Sequence, residues 1–197
     1  MENSQIERLF NQTFSGLTLF YRDTNLDETL FTKYVAGQIL QERGFIDMSF
    51  KGGGLTTNIR YLIASTNGKD VSSLVSESKN FGHTMLKPNS FFKVLDIYKI
   101  ENKTQILLLE IPEIGINLFK SSISNIEEQV IKKARESFES KIKMEPIPEL
   151  QEADWKQKTE FPIGMNDKGE FFFQDEKDTS KIKINSENQK KPWWKLW

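Results

Sequence analysis

Residues 91–112 constrain the fold of this chain more than any other stretch, because they have the pattern of two strands joined by a polar turn at 101–104. The second strand contains Ile106, Leu107, Leu108 and Leu109, an uninterrupted aliphatic run. A strand that is apolar on both faces is typical of the middle of a sheet that is covered by helices. Burying each of these side chains contributes roughly 1.5–3 kcal/mol. The sequence therefore predicts that this hairpin lies at the centre of the core.

The composition excludes several classes of protein. The 197 residues suffice for one domain and a tail, and 27 basic against 28 acidic residues give a net charge of −1, which does not favour a nucleic-acid-binding protein. The absence of cysteine excludes disulfides, thiolate chemistry and cysteine-ligated zinc. Neither a signal-peptide pattern nor an apolar run of the roughly 20 residues that span a membrane is present. With the abundance of Lys, Asn, Ile and Phe, this composition leads us to expect a bacterial cytoplasmic protein.

Four helices are predicted from the spacing of apolar residues and from capping residues. They cover residues 5–14, 26–43, 71–79 and 123–142. The helix at 26–43 has an apolar stripe and ends before Gly44, which is a typical residue after a helix C-terminus. The helix at 123–142 has the clearest periodicity, and Ser124 and Glu127 have the spacing of a capping box. These are the two longer amphipathic helices of the prediction.

The predicted strands are connected mainly by hairpins. They cover 17–22, 45–50, 58–66 and the two arms of 91–112. Residues 45–50 and 58–66 flank the flexible glycine loop 51–54, which predicts a hairpin. Residues 80–90 show no period, and the apolar residues 113–122 are interpreted as a short strand. This order predicts an α+β fold, with a mainly antiparallel sheet packed against the two longer helices.

The C-terminal part divides into an extension and a tail. Pro146 and Pro148 end the helical region. Apolar residues return between 155 and 173, and we interpret them as a late hairpin around the turn 166–169. We therefore predict a single domain over 1–173, with 144–173 as an extension packed on it. Residues 174–197 are predicted to form a mobile polar tail that ends in a Trp-rich peptide.

Three residues are weak candidates for catalysis. His83 is the only histidine, and it lies in the segment without a period. Asp96 and Glu110 lie inside apolar strands, where paired carboxylates can share a proton or act as acid and base. A three-residue turn would place Asp96 opposite Glu110, whereas a shift by one residue would place it opposite Leu109. For all three, a structural or solvent-exposed role is favoured, and no catalytic residue is assigned.

Other sites find little support in the sequence. Gly52, Gly53 and Gly54 lack the Gly-Lys-Ser/Thr ending of a phosphate-binding loop. The carboxylates Asp175, Glu176 and Asp178 lie in the predicted tail, where no cage for a metal ion is preformed. No metal or other cofactor is predicted, and neither is a nucleic-acid partner, since the basic residues of 123–142 alternate with acidic ones. The sequence does not indicate an oligomeric state.

The C-terminal hexapeptide departs most from an average sequence. Three of the four tryptophans lie within the last five residues. Tryptophan is a common anchor in protein interfaces and also lies at membrane surfaces. The predicted partner-binding residues are Trp193, Trp194, Leu196 and Trp197. A protein partner bound through 192–197 is favoured over packing on the chain's own domain and over a membrane surface.

Three hypotheses for function follow from these observations. The favoured one is a non-catalytic cytoplasmic adaptor or accessory protein with a Trp-rich docking peptide. The first alternative is an enzyme of unknown class with a pocket near His83 and Asp96 or Glu110, between the loops at 52–54 and 80–90. The second is a peripheral membrane-associated protein that is anchored by its C-terminal Trp and Lys residues.

Overall fold

A computed structural model describes residues 2–74, 81–121 and 123–174. The strands in this part of the chain are β1 (Thr18–Thr24), β2 (Ile39–Glu42), β3 (Ile46–Ser49), β4 (Ile59–Ser65), β5 (Lys69–Asp70), β6 (His83–Leu86), β7 (Ser90–Ile100) and β8 (Lys103–Ile111). They form one sheet in the order β2-β7-β8-β4-β1-β3-β6-β5. All neighbouring strands are antiparallel except β4 and β8, which are parallel. This confirms the predicted α+β class with a mainly antiparallel sheet.

The helices pack against both faces of this sheet. They are α1 (Asn3–Phe14), α2 (Glu28–Phe31), α3 (Ile116–Ser121), α4 (Asn125–Lys141) and α5 (Ala153–Lys158), with 3₁₀ turns at Glu113–Gly115 and Pro148–Gln151. The first and the longest helix were predicted, and the capping box at Ser124 and Glu127 is present. The predicted short strand within 113–122 is wrong, since α3 occupies it. Of the predicted helix at 71–79, residues 71–74 form a turn, and 75–80 lie outside the described residues.

The hairpin of β7 and β8 lies at the centre of the core, as the aliphatic run predicts. Strand β8 is flanked by β7 and β4. Ile106 and Leu108 belong to the hydrophobic cluster on one face of the sheet, and Leu107 and Leu109 belong to the cluster on the other face. All four side chains are fully buried. A strand that is apolar on both faces is thus covered on both faces.

Both predicted registers of this hairpin are wrong. The loop consists of two residues, since Ile100 pairs with Lys103, and Glu101 has a positive φ of 52°. A β-bulge between Val94 and Asp96 then shifts the register again, so that Asp96 lies opposite Leu107 and Glu110 lies opposite Phe92. A bulge inserts one unpaired residue, which turns the side chains that follow it. Asp96 and Glu110 are therefore not a cross-strand pair.

The predicted helix at 26–43 is also wrong. Its first part forms the single turn α2, and its last part forms the strand β2, which pairs with β7. Gly37 has a φ of +86°, and its amide donates a hydrogen bond to Val94 O. Glycine disfavours a helix interior by about 1 kcal/mol, and the pairing with β7 satisfies backbone groups that a helix would otherwise use.

The predicted hairpin of 45–50 and 58–66 does not form, although both segments contain strands. Strand β1 lies between β3 and β4 and pairs with β4 along its whole length. The glycine loop is not a flexible connection. Gly54 donates its amide to Glu145 O at 3.0 Å, and Lys141 donates to Gly52 O at 2.9 Å, so this loop is fixed against the end of α4.

The chain after α4 returns across the sheet. Leu150 and Trp155 pack against Phe81, and Ile163 and Met165 are buried in the main core. The predicted late hairpin is reduced to one isolated bridge between Met165 and Phe171. No helix in the described ranges is long and apolar enough to cross a membrane. The domain boundary at residue 173 stays a prediction.

Candidate functional site

The candidate site lies where β1 and β3 diverge. These strands share one registered pair, Tyr21 with Ser49. Beyond it, residues 158–165, which we call the strap, run along β1. Thr159 Oγ1 donates to Asp23 O, and Thr24 Oγ1 donates to Glu160 O, each at 3.2 Å. Hydrogen bonds between threonine side chains and the backbone therefore hold the strap against β1.

Arg22 is the charged residue at the centre of this region. Arg22 is the residue after Tyr21 on β1, and it is only 5% exposed. The guanidinium donates to three backbone carbonyls, those of Asp47 at 3.1 Å and of Lys158 and Phe161 at 3.2 Å each. Its Nε is buried and has no hydrogen-bond partner among the residues that the structure describes. Within residues 2–74, 81–121 and 123–174, no carboxylate forms an ion pair with Arg22.

This environment destabilises the charged form of Arg22. Burial lowers the pKa of its guanidinium from the ordinary value, and the neighbouring hydroxyl of Tyr61 and carboxylates of Asp47 and Glu42 oppose that shift in part. A buried charge is costly unless it is paired or fully hydrogen-bonded. The charge of Arg22 is thus not balanced by an ion pair within the described residues.

Asp47 connects Arg22 to the histidine. Its carbonyl accepts the hydrogen bond from Arg22, and its Oδ1 lies 2.7 Å from Nε2 of His83. His83 is only 4% exposed, and its ring makes edge contacts with Trp155 at a centroid distance of 5.2 Å. The ring of Phe81 lies 5.9 Å from that of His83, centroid to centroid. A carboxylate that holds one imidazole nitrogen fixes the orientation and the tautomer of the ring.

A cavity of about 360 Å³ opens next to Arg22. Three phenylalanines line it, Phe45, Phe161 and Phe172, and its polar lining includes Lys158, Asn166, Glu42 and Asp167. Phe45 and Phe161 are 63% and 57% exposed, so their rings are available to a ligand. His83 does not line this cavity, and its ring contacts Trp155. The cavity thus combines a buried cation with exposed aromatic surface.

Two buried tyrosines hold the far end of the strap. Tyr34 donates to Ile163 O at 2.6 Å, and Ile163 N donates to the hydroxyl of Tyr61 at 3.3 Å. The two hydroxyl groups lie 2.7 Å apart. Burial raises the pKa of Tyr61 to about 12, and burial together with the neighbouring Tyr61 raises the pKa of Tyr34 well above its ordinary value. Both hydroxyl groups are therefore neutral hydrogen-bonding groups near neutral pH.

The structure does not bring the three predicted catalytic candidates together. His83 has a carboxylate partner, but that partner is Asp47. Asp96 is on β7, which is separated from β6 by four intervening strands, and Arg135 binds both of its oxygens at 2.7 and 2.8 Å. Glu110 accepts hydrogen bonds from Ser65 and Asn67 beside a different cavity. The pocket expected between the loops at 52–54 and 80–90 stays a prediction, and the glycine loop packs against Glu145.

Sequence reasoning missed Arg22, Asp47 and Trp155. The sequence did contain a signal for Arg22 and Asp47. Like Asp96 and Glu110, each is a charged residue inside or at the end of a predicted apolar strand. For Trp155 no local pattern indicated a contact with His83, 72 positions earlier in the chain. Trp193, Trp194, Leu196 and Trp197 lie outside the described residues. Among the residues that are described, no three His, Cys, Asp or Glu side chains form a group that would hold a metal ion.

Comparison with known proteins gives similarity to solved structures only. HopU1, an ADP-ribosyltransferase of Pseudomonas syringae pv. Tomato DC3000, is 20% identical over 48% of this chain and 46% of its own, with a TM-score of 0.43. The Vis toxin, an ADP-ribosyltransferase from Vibrio splendidus, is 17% identical over 50% of this chain and 50% of its own, with a TM-score of 0.40. Exoenzyme S from Pseudomonas aeruginosa was solved with carba-NAD and human 14-3-3 protein beta. It is 16% identical over 64% of this chain and 62% of its own, with a TM-score of 0.44.

The chain matches about half the length of the first solved structures to which it is similar. No family model matches the sequence, and no curated protein matches it. The prediction of a non-catalytic adaptor is nevertheless wrong, because the similar structures with a named activity are ADP-ribosyltransferases, which are enzymes. The same finding corrects the prediction that the chain is not an enzyme and favours the enzyme alternative. At 16–20% identity the likeness concerns the fold.

Proposed function

We propose that this protein is an enzyme that binds an anionic substrate at Arg22 and uses His83, oriented by Asp47, for proton transfer. The observation that carries the proposal is the buried guanidinium of Arg22. It borders a cavity, it lacks an ion-pair partner in the described part of the chain, and its Nε is unpaired. Perturbed or uncompensated charges in clefts are typical of functional sites.

The walls of the cavity define the class of substrate. A guanidinium recognises phosphate and carboxylate groups through parallel hydrogen bonds. The exposed rings of Phe45 and Phe161 offer surfaces for stacking with a planar ring. A ligand that combines an anionic group with an aromatic ring, such as a nucleotide, fits both features. A cavity of about 360 Å³ lies in the range of small-molecule sites, roughly 300–1,000 Å³.

The Asp47–His83 pair supplies acid–base chemistry. Histidine is the side chain whose ordinary pKa lies nearest to neutral pH, so it can accept and release a proton under the same conditions. The carboxylate of Asp47 lies 2.7 Å from Nε2 of His83 and fixes the orientation of the ring. Asp47 also binds Arg22 through its carbonyl, which keeps the anion-binding group and the proton-transfer group in one rigid unit.

NAD is the substrate that we propose to test first. It contains a pyrophosphate for Arg22 and two aromatic bases for the phenylalanines, and ADP-ribosyl transfer is the activity named for HopU1 and Vis. In that reaction the bond between ribose and nicotinamide breaks, a nucleophile of the acceptor binds the ribose, and the nucleophile loses a proton. In our proposal His83 accepts that proton.

The proposal also includes a protein partner and a compartment. Exoenzyme S was solved in complex with human 14-3-3 protein beta. For this chain we propose that residues 192–197 contact a partner protein through their tryptophans, and the cytoplasm stays the predicted compartment. The identity of the partner is not part of the proposal.

The test compares NAD binding by the wild type and an Arg22→Lys variant in isothermal titration calorimetry. Lysine keeps the positive charge but loses the planar set of donors, so we expect at least tenfold weaker binding, which corresponds to about 1.4 kcal/mol. Arg8→Lys is the matched control, because Arg8 is exposed on α1 and lines a different cavity. Melting temperatures of all three proteins establish that they are folded.

Two outcomes would contradict the proposal. If the wild type does not bind NAD, NAD is not the substrate. If Arg22→Lys binds NAD as tightly as the wild type and Arg8→Lys do, Arg22 is not the anion-binding group.

A further inference from the structure

Glu110 lies at a second site, which is separate from the site proposed above. It is the penultimate residue of β8, it is only 7% exposed, and it lines the cavity of about 920 Å³ between α1 and the sheet. Ser65 Oγ and Asn67 Nδ2 both donate to Oε2 of Glu110, and Asn67 N donates to Ser65 Oγ. This network holds one carboxylate oxygen in place. Its other oxygen, Oε1, accepts no hydrogen bond from the residues that the structure describes.

Glu110 differs from other carboxylates of the fold, because no cationic side chain among the described residues pairs with it. Asp23 pairs with Arg60 at 2.6 Å, Asp96 pairs with Arg135 at 2.7 Å, and Glu127 pairs with Lys93 at 2.9 Å. In residues 2–74, 81–121 and 123–174, Glu110 forms no ion pair. Of the buried carboxylates among the described residues, Asp96, Glu110 and Glu127, only Glu110 lacks a cationic partner. A buried carboxylate is stabilised when a cation pairs with it.

We infer that the cavity at Glu110 binds an organic cation, a primary ammonium or a guanidinium group, with the cation against Oε1. A metal ion is disfavoured, because no group of three metal-binding side chains is present in the described ranges. Arg8 and Lys87 also line this cavity, but both are exposed to solvent. Because these two cations would repel a second positive charge, we expect a ligand that carries its cation at one end only.

The experiment titrates the full chain with n-butylamine at neutral pH, where the amine is an ammonium ion. Two-dimensional NMR follows the side-chain amide of Asn67 and the backbone amide of Glu110. n-Butanol is the control ligand, because it has the same carbon chain without the charge. Glu110→Gln removes the charge but keeps an oxygen that can accept from Ser65, and Glu113→Gln changes an exposed glutamate at the same cavity.

We expect butylammonium to shift both signals in the wild type and in Glu113→Gln, with at least tenfold weaker binding in Glu110→Gln. Butanol should leave the signals unchanged. Equal shifts with butanol, equal affinity in Glu110→Gln, or no shift in the wild type would overturn the inference. Because an uncompensated charge does not stabilise the fold, the melting temperature of Glu110→Gln should equal or exceed that of the wild type. A decrease of more than roughly 4 °C, about 1 kcal/mol or more, would show that the charge serves the fold and would also overturn the inference.

Discussion

At the scale of single residues, the molecule separates two kinds of buried charge. Asp23, Asp96 and Glu127 each have a cationic partner within 3 Å, and these pairs join neighbouring strands or attach α4 to the sheet. Arg22 and Glu110 are as buried but have no such partner in the described residues, and each borders a cavity. We assign the paired charges to the fold and the two unpaired ones to ligands.

The tyrosine pair predicts how stability changes at high pH. Burial raises the pKa of Tyr61 from the ordinary value of 10.0 to about 12, so the folded state favours the protonated hydroxyl. Its contribution is complete below about pH 10 and is lost as the pH rises toward about 12. Tyr34 shifts in the same direction. The free energy of unfolding of the wild type should therefore decrease steeply over this range.

A Tyr61→Phe variant measures this contribution. Its free energy of unfolding should be about 1–3 kcal/mol lower than that of the wild type near neutral pH, because Ile163 N and Tyr34 lose a hydrogen-bond partner. Between pH 10 and 12 its stability should depend less on pH than that of the wild type. Urea denaturation at several pH values gives both quantities. Identical slopes with pH in the two proteins would refute the role of the pair.

At the scale of elements, α5 and the strap differ from the rest of the fold in how they are held. Side chains of the sheet and α2 region, including Arg22, Thr24, Tyr34 and Glu42, bind the backbone of the strap. Strands β4 and β8, in contrast, are joined by a continuous ladder of backbone pairs. The same segment covers His83 through Trp155. Access of a substrate to His83 therefore requires α5 and the first half of the strap to move.

Hydrogen exchange tests this requirement. We expect the amides of residues 155–161 to exchange through local opening, at a free energy below that of global unfolding, whereas the amides of β4 exchange only on global unfolding. The physical reason is that few hydrogen bonds must break to release this segment. Mass spectrometry of peptides from both regions, at several denaturant concentrations, provides the measurement. If residues 155–161 are as protected as β4, the segment does not open and His83 stays covered.

At the scale of the whole molecule, stability depends on the two clusters that β8 separates. Leu108 is fully buried in one of them. Leu108→Ala should lower the free energy of unfolding by about 2–5 kcal/mol, because it removes buried methyl groups and leaves a cavity. Leu74→Ala is the matched control, since Leu74 is 80% exposed and should change stability by less than about 0.5 kcal/mol. Chemical denaturation of the two variants gives the comparison, and equal effects would contradict this view of the core.

The order of the strands also explains how far the site could be predicted from the sequence. His83 was predicted as a candidate, but its partner Asp47 was not, since β3 and β6 are brought side by side only in the folded sheet. Asp96 and Glu110 were selected for lying in apolar strands, which is a local property. Their partners, Arg135 and Ser65, come from α4 and from the parallel neighbour β4. No local pattern specifies such partners.

The sequence by itself determined the elements whose cause is local. The aliphatic run at 106–109 specified the central strand, and the capping box at Ser124 specified the start of α4, since periodicity and capping act within a few residues. The tertiary structure alone decided the register of β7 and β8, the conversion of 26–43 into a turn and a strand, and the position of the strap beside Arg22. These features depend on pairing between segments that are far apart in the chain, where the energy of long-range contacts outweighs local propensity.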